Sequence, residues 1–62
     1  MNPSITADRV IELVEQDDYI GICTVCGYEQ DGCEPDARMY ECDVCGEHAV
    51  YGAEELLIML VP

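Results

Sequence analysis

Sixty-two residues carry fourteen Asp and Glu against two arginines, for a net charge of −12. Phosphate recognition needs Lys and Arg to displace counterions, so Arg9 and Arg38 are too few for direct DNA or RNA binding, and anionic membrane surfaces are excluded for the same reason. A chain this short buries only about 60% of its unfolded surface, so one small domain is expected, and it needs a staple.

The first element is a helix in ITADRVIELVEQ, placed at Ala7–Gln16 within a segment of about residues 5–17. Thr6 is the N-cap, and Ile5 and Val10 occupy the two places of a hydrophobic staple. Asp8 lies in the first turn, where the helix dipole favours a negative charge. Val10, Leu13 and Val14 recur at i, i+3 and i+4 as one apolar stripe, with Ile11 beside it. Asp17 and Asp18 break that pattern.

Residues 20–51 follow as a β region. YIGIC reads as a short strand, YEQDGCEPDA as a polar loop or hairpin turn, RMYEC as a second strand and HAVY as a third. Gly52 then caps a second helix over residues 52–61, with Glu54 and Glu55 in its first turn and LLIML after them. The apolar run from Leu56 to Val61 is far below the ~20 residues that span a bilayer. It is expected to pack on the Val10–Val14 face. Any part left exposed would mark a surface for a partner or for a homodimer.

The chemistry lies in a repeat. CTVCG at 23–27 and CDVCG at 42–46 are two C-x-x-C-G units with fifteen residues between Cys26 and Cys42. Two intervening residues let both sulfurs of a unit turn toward one point. The glycine that follows supplies φ > 0 where the chain doubles back. Each unit offers two ligands and a tetrahedral ion needs four, so Cys23, Cys26, Cys42 and Cys45 are expected to bind one metal ion. Met1 to Thr6 shows no basic stretch leading into a long apolar one. The expectation is a cytoplasmic, reducing setting, in which paired cysteines hold metal more often than they form disulfides.

The fifth cysteine, Cys33, lies in the acidic loop and reads as a bystander thiol. A redox or attachment role is disfavoured, because no basic residue adjoins it and Glu34 would raise its pKa. His48 stands three residues after Cys45. It reads as a polar strand residue, since four cysteines already fill the site. Four thiolates also close the ion to substrate, and no nucleophile–base pairing stands out, so no enzymatic activity is expected.

These knuckles resemble those of zinc-ribbon and rubredoxin-like proteins. CTVCGYEQDGCEPDA is similar to the first knuckle and acidic loop of rubredoxins and of the rubredoxin-like tail of rubrerythrins, in which the four knuckle cysteines hold iron and carry one electron. The chain departs from rubredoxins in CDVCG, which lacks the usual proline after its first cysteine. It also has a shorter gap between knuckles, no Phe or Trp, and helices at both ends. Nearly the whole length resembles short zinc-ribbon proteins of bacteriophages and prophages, through Glu34–Arg38, Tyr40–Gly46 and Gly52–Leu57.

The resemblance implies a small metal-bound α+β fold, a zinc ribbon of two rubredoxin-like hairpins between an N-terminal and a C-terminal helix. It also implies one Zn2+, with iron as the alternative. The expected role is a non-enzymatic adaptor or inhibitor that binds a protein, with a basic surface as the suitable partner. In one variant Glu29, Asp31, Glu34, Asp36, Glu41 and Asp43 line a single face and imitate DNA phosphates.

Overall fold

The computed structural model describes residues 1–16 and 19–60. The expected helix break at Asp17 and Asp18, and the end of the second helix at Val61, lie outside the described residues. The described elements are helix α1 (Ala7–Gln16), strands β1 (Gly21–Cys23), β2 (Glu29–Gln30), β3 (Tyr40–Glu41) and β4 (His48–Gly52), and helix α2 (Ala53–Leu60). The result is a small α+β fold. Its one antiparallel sheet has the order β2-β1-β4-β3.

Helix α1 starts as its sequence suggests. The Arg9 N–H donates to Thr6 Oγ1 at 3.3 Å, and the Val10 N–H donates to the Thr6 carbonyl at 3.1 Å. Ile5, Val10 and Leu13 are buried together, so the staple and the apolar stripe lead into the same core.

Helix α2 starts directly after Gly52, as expected, and the preceding loop adds acceptors at its start. Its Glu55 N–H donates to the Pro35 carbonyl, and the Gly52 N–H donates to the Ala37 carbonyl. The loop from Glu34 to Ala37 therefore serves the helix start with backbone oxygens. It lies so close that a Cβ on Gly52 would overlap the carbonyl of Glu34. Within α2, Ala53 and Leu56 are buried and Leu57 and Leu60 pack beside them, an i, i+3, i+4, i+7 stripe. Ile58 is 70% exposed and Met59 46% exposed, so the apolar run presents part of itself to solvent.

The sheet divides the interior in two. Ile22 pairs with Tyr51 and Cys23 with Val50. Because alternate residues of a strand face opposite sides, Ile22 and Tyr51 join the core under the two helices. Cys23 and Val50 face the other way and meet Cys33, Ala37 and Cys42.

Two expectations change here. Glu29 and Gln30 were expected in a loop but form β2, because the first knuckle turns the chain back along β1. RMYEC shrinks to a two-residue strand. Met39 has φ 57°, a left-handed turn that keeps Arg38 and Met39 out of the ladder.

Candidate metal centre

Each C-x-x-C-G unit is the turn of a hairpin. The first lies between β1 and β2, the second between β3 and β4, and β1 pairs with β4 to set the hairpins side by side. The two turns share one hydrogen-bond pattern. The Cys23 N–H donates to the Tyr28 carbonyl and the Gly27 N–H to the Cys23 carbonyl, both at 2.9 Å. The Cys42 N–H donates to the Glu47 carbonyl at 2.9 Å and the Gly46 N–H to the Cys42 carbonyl at 3.0 Å. Gly27 and Gly46 sit at φ 82° and 76°, where a side chain is strained.

This geometry brings Cys23, Cys26, Cys42 and Cys45 together, with all four sulfurs within 4.8 Å of one another. The Cys23–Cys45 and Cys26–Cys42 separations are both 3.6 Å. A disulfide needs about 2.05 Å. A tetrahedral ion with Zn–S bonds of ~2.3 Å sets its sulfurs about 3.8 Å apart. Those two separations therefore match the edge of a coordination tetrahedron, and the donor set suits a metal ion.

Backbone donors surround the sulfurs. Cys23 Sγ accepts from the N–H groups of Val25 and Cys26, and Cys42 Sγ accepts from those of Val44 and Cys45, at 3.4 to 3.5 Å. Such donors favour thiolate over thiol. The Cys45 N–H, with that of Val44 behind it, draws the Cys42 thiol down to about 7 against the effect of its burial. The Cys45 thiol has a donor from the Glu47 backbone, yet partial desolvation of the sulfur and the facing sulfurs push it up to about 12. Cys26 has a donor at Tyr28 and is also raised, by partial desolvation of the sulfur and by Cys42 and Cys23. Four adjacent sulfurs cannot all ionise without a cation between them, and a divalent metal removes that conflict.

Cys23 and Cys42 are buried, whereas Cys26 and Cys45 are exposed. Val25 and Val44, beside them at the two turn tips, are also exposed. Neither Cys33 nor His48 belongs to the cluster. His48 is an exposed residue of β4, paired with Glu41. Cys33 lies in the loop between β2 and β3, as expected, with its side chain buried in the core under the knuckles. Burial raises its pKa first, partly offset by donors at Gly21 and Gln30. The acids that raise it further are Asp43 and Asp31, where Glu34 was expected.

No family model matches the chain, and no curated protein or solved structure matches it either.

Two residues near the site escape a reading of the sequence. The Asn2 N–H donates to the Thr24 carbonyl at 2.7 Å, and Asn2 Nδ2 donates to the Val25 carbonyl at 2.9 Å. Asn2 Oδ1 accepts from the Ser4 N–H. The Asn2–Pro3 pair is a turn signal that could have flagged the segment. Gln30 Nε2 donates to the Glu41 carbonyl at 3.2 Å, and its Oε1 accepts from the Asp43 N–H at 3.1 Å. No local signal marks Gln30, because its partners lie eleven and thirteen residues away.

Proposed function

We propose that this chain is a non-enzymatic zinc-ribbon protein, in which Cys23, Cys26, Cys42 and Cys45 hold one structural Zn2+ and the folded surface binds another protein. The four sulfurs within 4.8 Å of one another, offered from two matching turns, carry this reading. Zinc favours four thiolates in a tetrahedron, and a closed four-ligand site contributes folding energy directly, ~10–16 kcal/mol in small zinc peptides at neutral pH. That staple suits a 62-residue chain with two small cores.

The partner would meet an acidic surface with apolar side chains set into it. Ile58 and Met59 on α2, and Val25 and Val44 at the turn tips, are exposed. The net charge of −12 favours a basic partner over a second copy of the chain. An adaptor or inhibitor of the phage type, acting in the cytoplasm, follows from the likeness of the motifs. Glu29 is engaged by Arg9, which takes it out of the set of free acids in the phosphate-imitating variant.

Iron is the second reading, because tetrahedral thiolate sites accept either metal. Exposure of Cys26 and Cys45 would bring a redox ion close to the surface. Native mass spectrometry of protein purified without added metal, with an elemental assay, separates the two. One zinc per chain is the expected result. One iron per chain makes the protein an electron carrier, and a chain without metal overturns both readings.

A further inference from the structure

In the order β2-β1-β4-β3, β2 and β3 are the two edges of the sheet, and among the described residues no backbone ladder joins them. A single side chain does. Gln30 projects from β2 to the opposite edge and binds the Glu41 carbonyl and the Asp43 N–H. Those two backbone groups lie on either side of Cys42. The sheet thus curls until its edges meet, and the joint falls on the second knuckle.

The two knuckles are not equally supported. The first leaves β1, an inner strand paired on both sides, and is strapped at Thr24 and Val25 by Asn2. Thr24 is also tied to β4, its N–H and its Oγ1 both donating to the Ala49 carbonyl. The second knuckle is entered from β3, a two-residue edge strand whose ladder with β4 is irregular between Tyr40 and Glu41. Among the described residues, and apart from the facing sulfurs, the bonds to Gln30 tie it to the other hairpin outside the sheet ladder. The joint needs a donor and an acceptor on one planar group, which an amide offers and a carboxylate does not.

We infer that Gln30 is a positioning residue of the metal site, holding Cys42 and Cys45 in register with Cys23 and Cys26 through the backbone on both sides of Cys42. This rests on the metal reading above. Asn2 does the parallel work on the first knuckle. Loss of Gln30 should open the site from the second knuckle, and loss of Asn2 from the first.

The test uses the zinc-loaded full chain. Transfer of zinc to a chromogenic chelator is timed, and amide hydrogen exchange is read by NMR at both knuckles. Gln30→Ala should release zinc about tenfold faster, the worth of one or two net hydrogen bonds. Exchange should rise at Asp43 and Cys45 while Val25 and Cys26 stay as in the parent. Gln30→Glu keeps an acceptor for Asp43 but no donor for Glu41, so it should fall between. It also carries the comparison should Gln30→Ala not fold. Asn2→Ala should show the reverse pattern.

A merely structural role would accelerate exchange in both knuckles alike. That result, or an unchanged release rate in both Gln30 variants, overturns the inference while leaving the metal reading standing. A parent chain that takes up no zinc overturns both, and is seen before any variant is compared.

Discussion

Arg9 on α1 grips Glu29 on β2 with two parallel hydrogen bonds, Nη2 to Oε1 at 2.6 Å and Nε to Oε2 at 2.8 Å. This fork joins the N-terminal helix to the outer strand of the first hairpin. Arg9 also reaches Glu12 at 3.4 Å, so one of the two arginines in the chain serves two acids. The bidentate geometry suits Arg and would not be reproduced by Lys.

The hydrogen bond from Arg9 holds the Glu29 carboxyl below its ordinary value. A depressed folded-state pKa means that the pair's contribution is fully present above the unfolded value, near 4.3. It is lost as pH falls through the lower folded value. An NMR titration of Glu29 should find its midpoint below the usual carboxylate range, and Arg9→Gln should return it upward. A midpoint that stays low without Arg9 would assign the shift to another cause.

Removing the metal should unfold the protein. A strong chelator is expected to abolish the circular dichroism of the native state, and Cys42→Ser should do the same without chelator, since the three remaining thiolates no longer close the tetrahedron. A native spectrum in chelator would show that the two small cores are sufficient alone.

Cys33→Ser separates a core thiol from a ligand. Cys33 is 1% exposed and packs with Val50, Ala37, Cys23 and Cys42. The serine variant buries a hydroxyl in that place, at a cost of about 1–3 kcal/mol. Its metal content should remain that of the parent while its melting temperature falls. Loss of the metal in this variant would give Cys33 a direct part in the site.

On α2 the buried and exposed apolar residues should behave oppositely. Leu56 is fully buried, and Leu56→Ala is expected to cost about 2–5 kcal/mol. Ile58→Ala should stay within ~0.5 kcal/mol of the parent, since its side chain faces solvent. Equal losses at both positions in a thermal melt would mean that Ile58 is covered in solution, and sedimentation would then show whether a second copy covers it.

Close backbone packing gives a further contrast. Gly52→Ala places a methyl against the carbonyls of Glu34 and Pro35, with no flexible side chain to yield, so the loop must leave the start of α2. Gly46→Ala meets nothing within 4 Å and suffers only the left-handed φ of 76°, a cost of about 1 kcal/mol. Denaturation of the two variants, each purified as the parent is, should rank Gly52→Ala as the more damaging.

Much of the site could be read from the chain alone. The spacing of Cys23, Cys26, Cys42 and Cys45, each pair followed by a glycine, is a local instruction, and the structure brings those four sulfurs together. The start of α1 was equally local, set by Thr6 and the Ile5–Val10 staple, with the 3.6-residue stripe giving its buried face. Such features depend on neighbours a few residues apart, so chain order carries them.

Tertiary structure decided the rest. Cys33 looked like a loop thiol because its flanks are polar and acidic, but the fold of the loop onto the sheet turns it into the core. Glu29 and Gln30 looked like loop residues until β1 supplied a partner strand. Gln30 reaches Glu41 and Asp43 only because the sheet curls, and Asn2 reaches Thr24 and Val25 across more than twenty residues of chain. The sequence by itself determined which atoms can bind a metal and where α1 lies. Only tertiary structure decided which side chains steady those atoms, because contacts between distant residues depend on sheet curvature and helix docking, which no local pattern encodes.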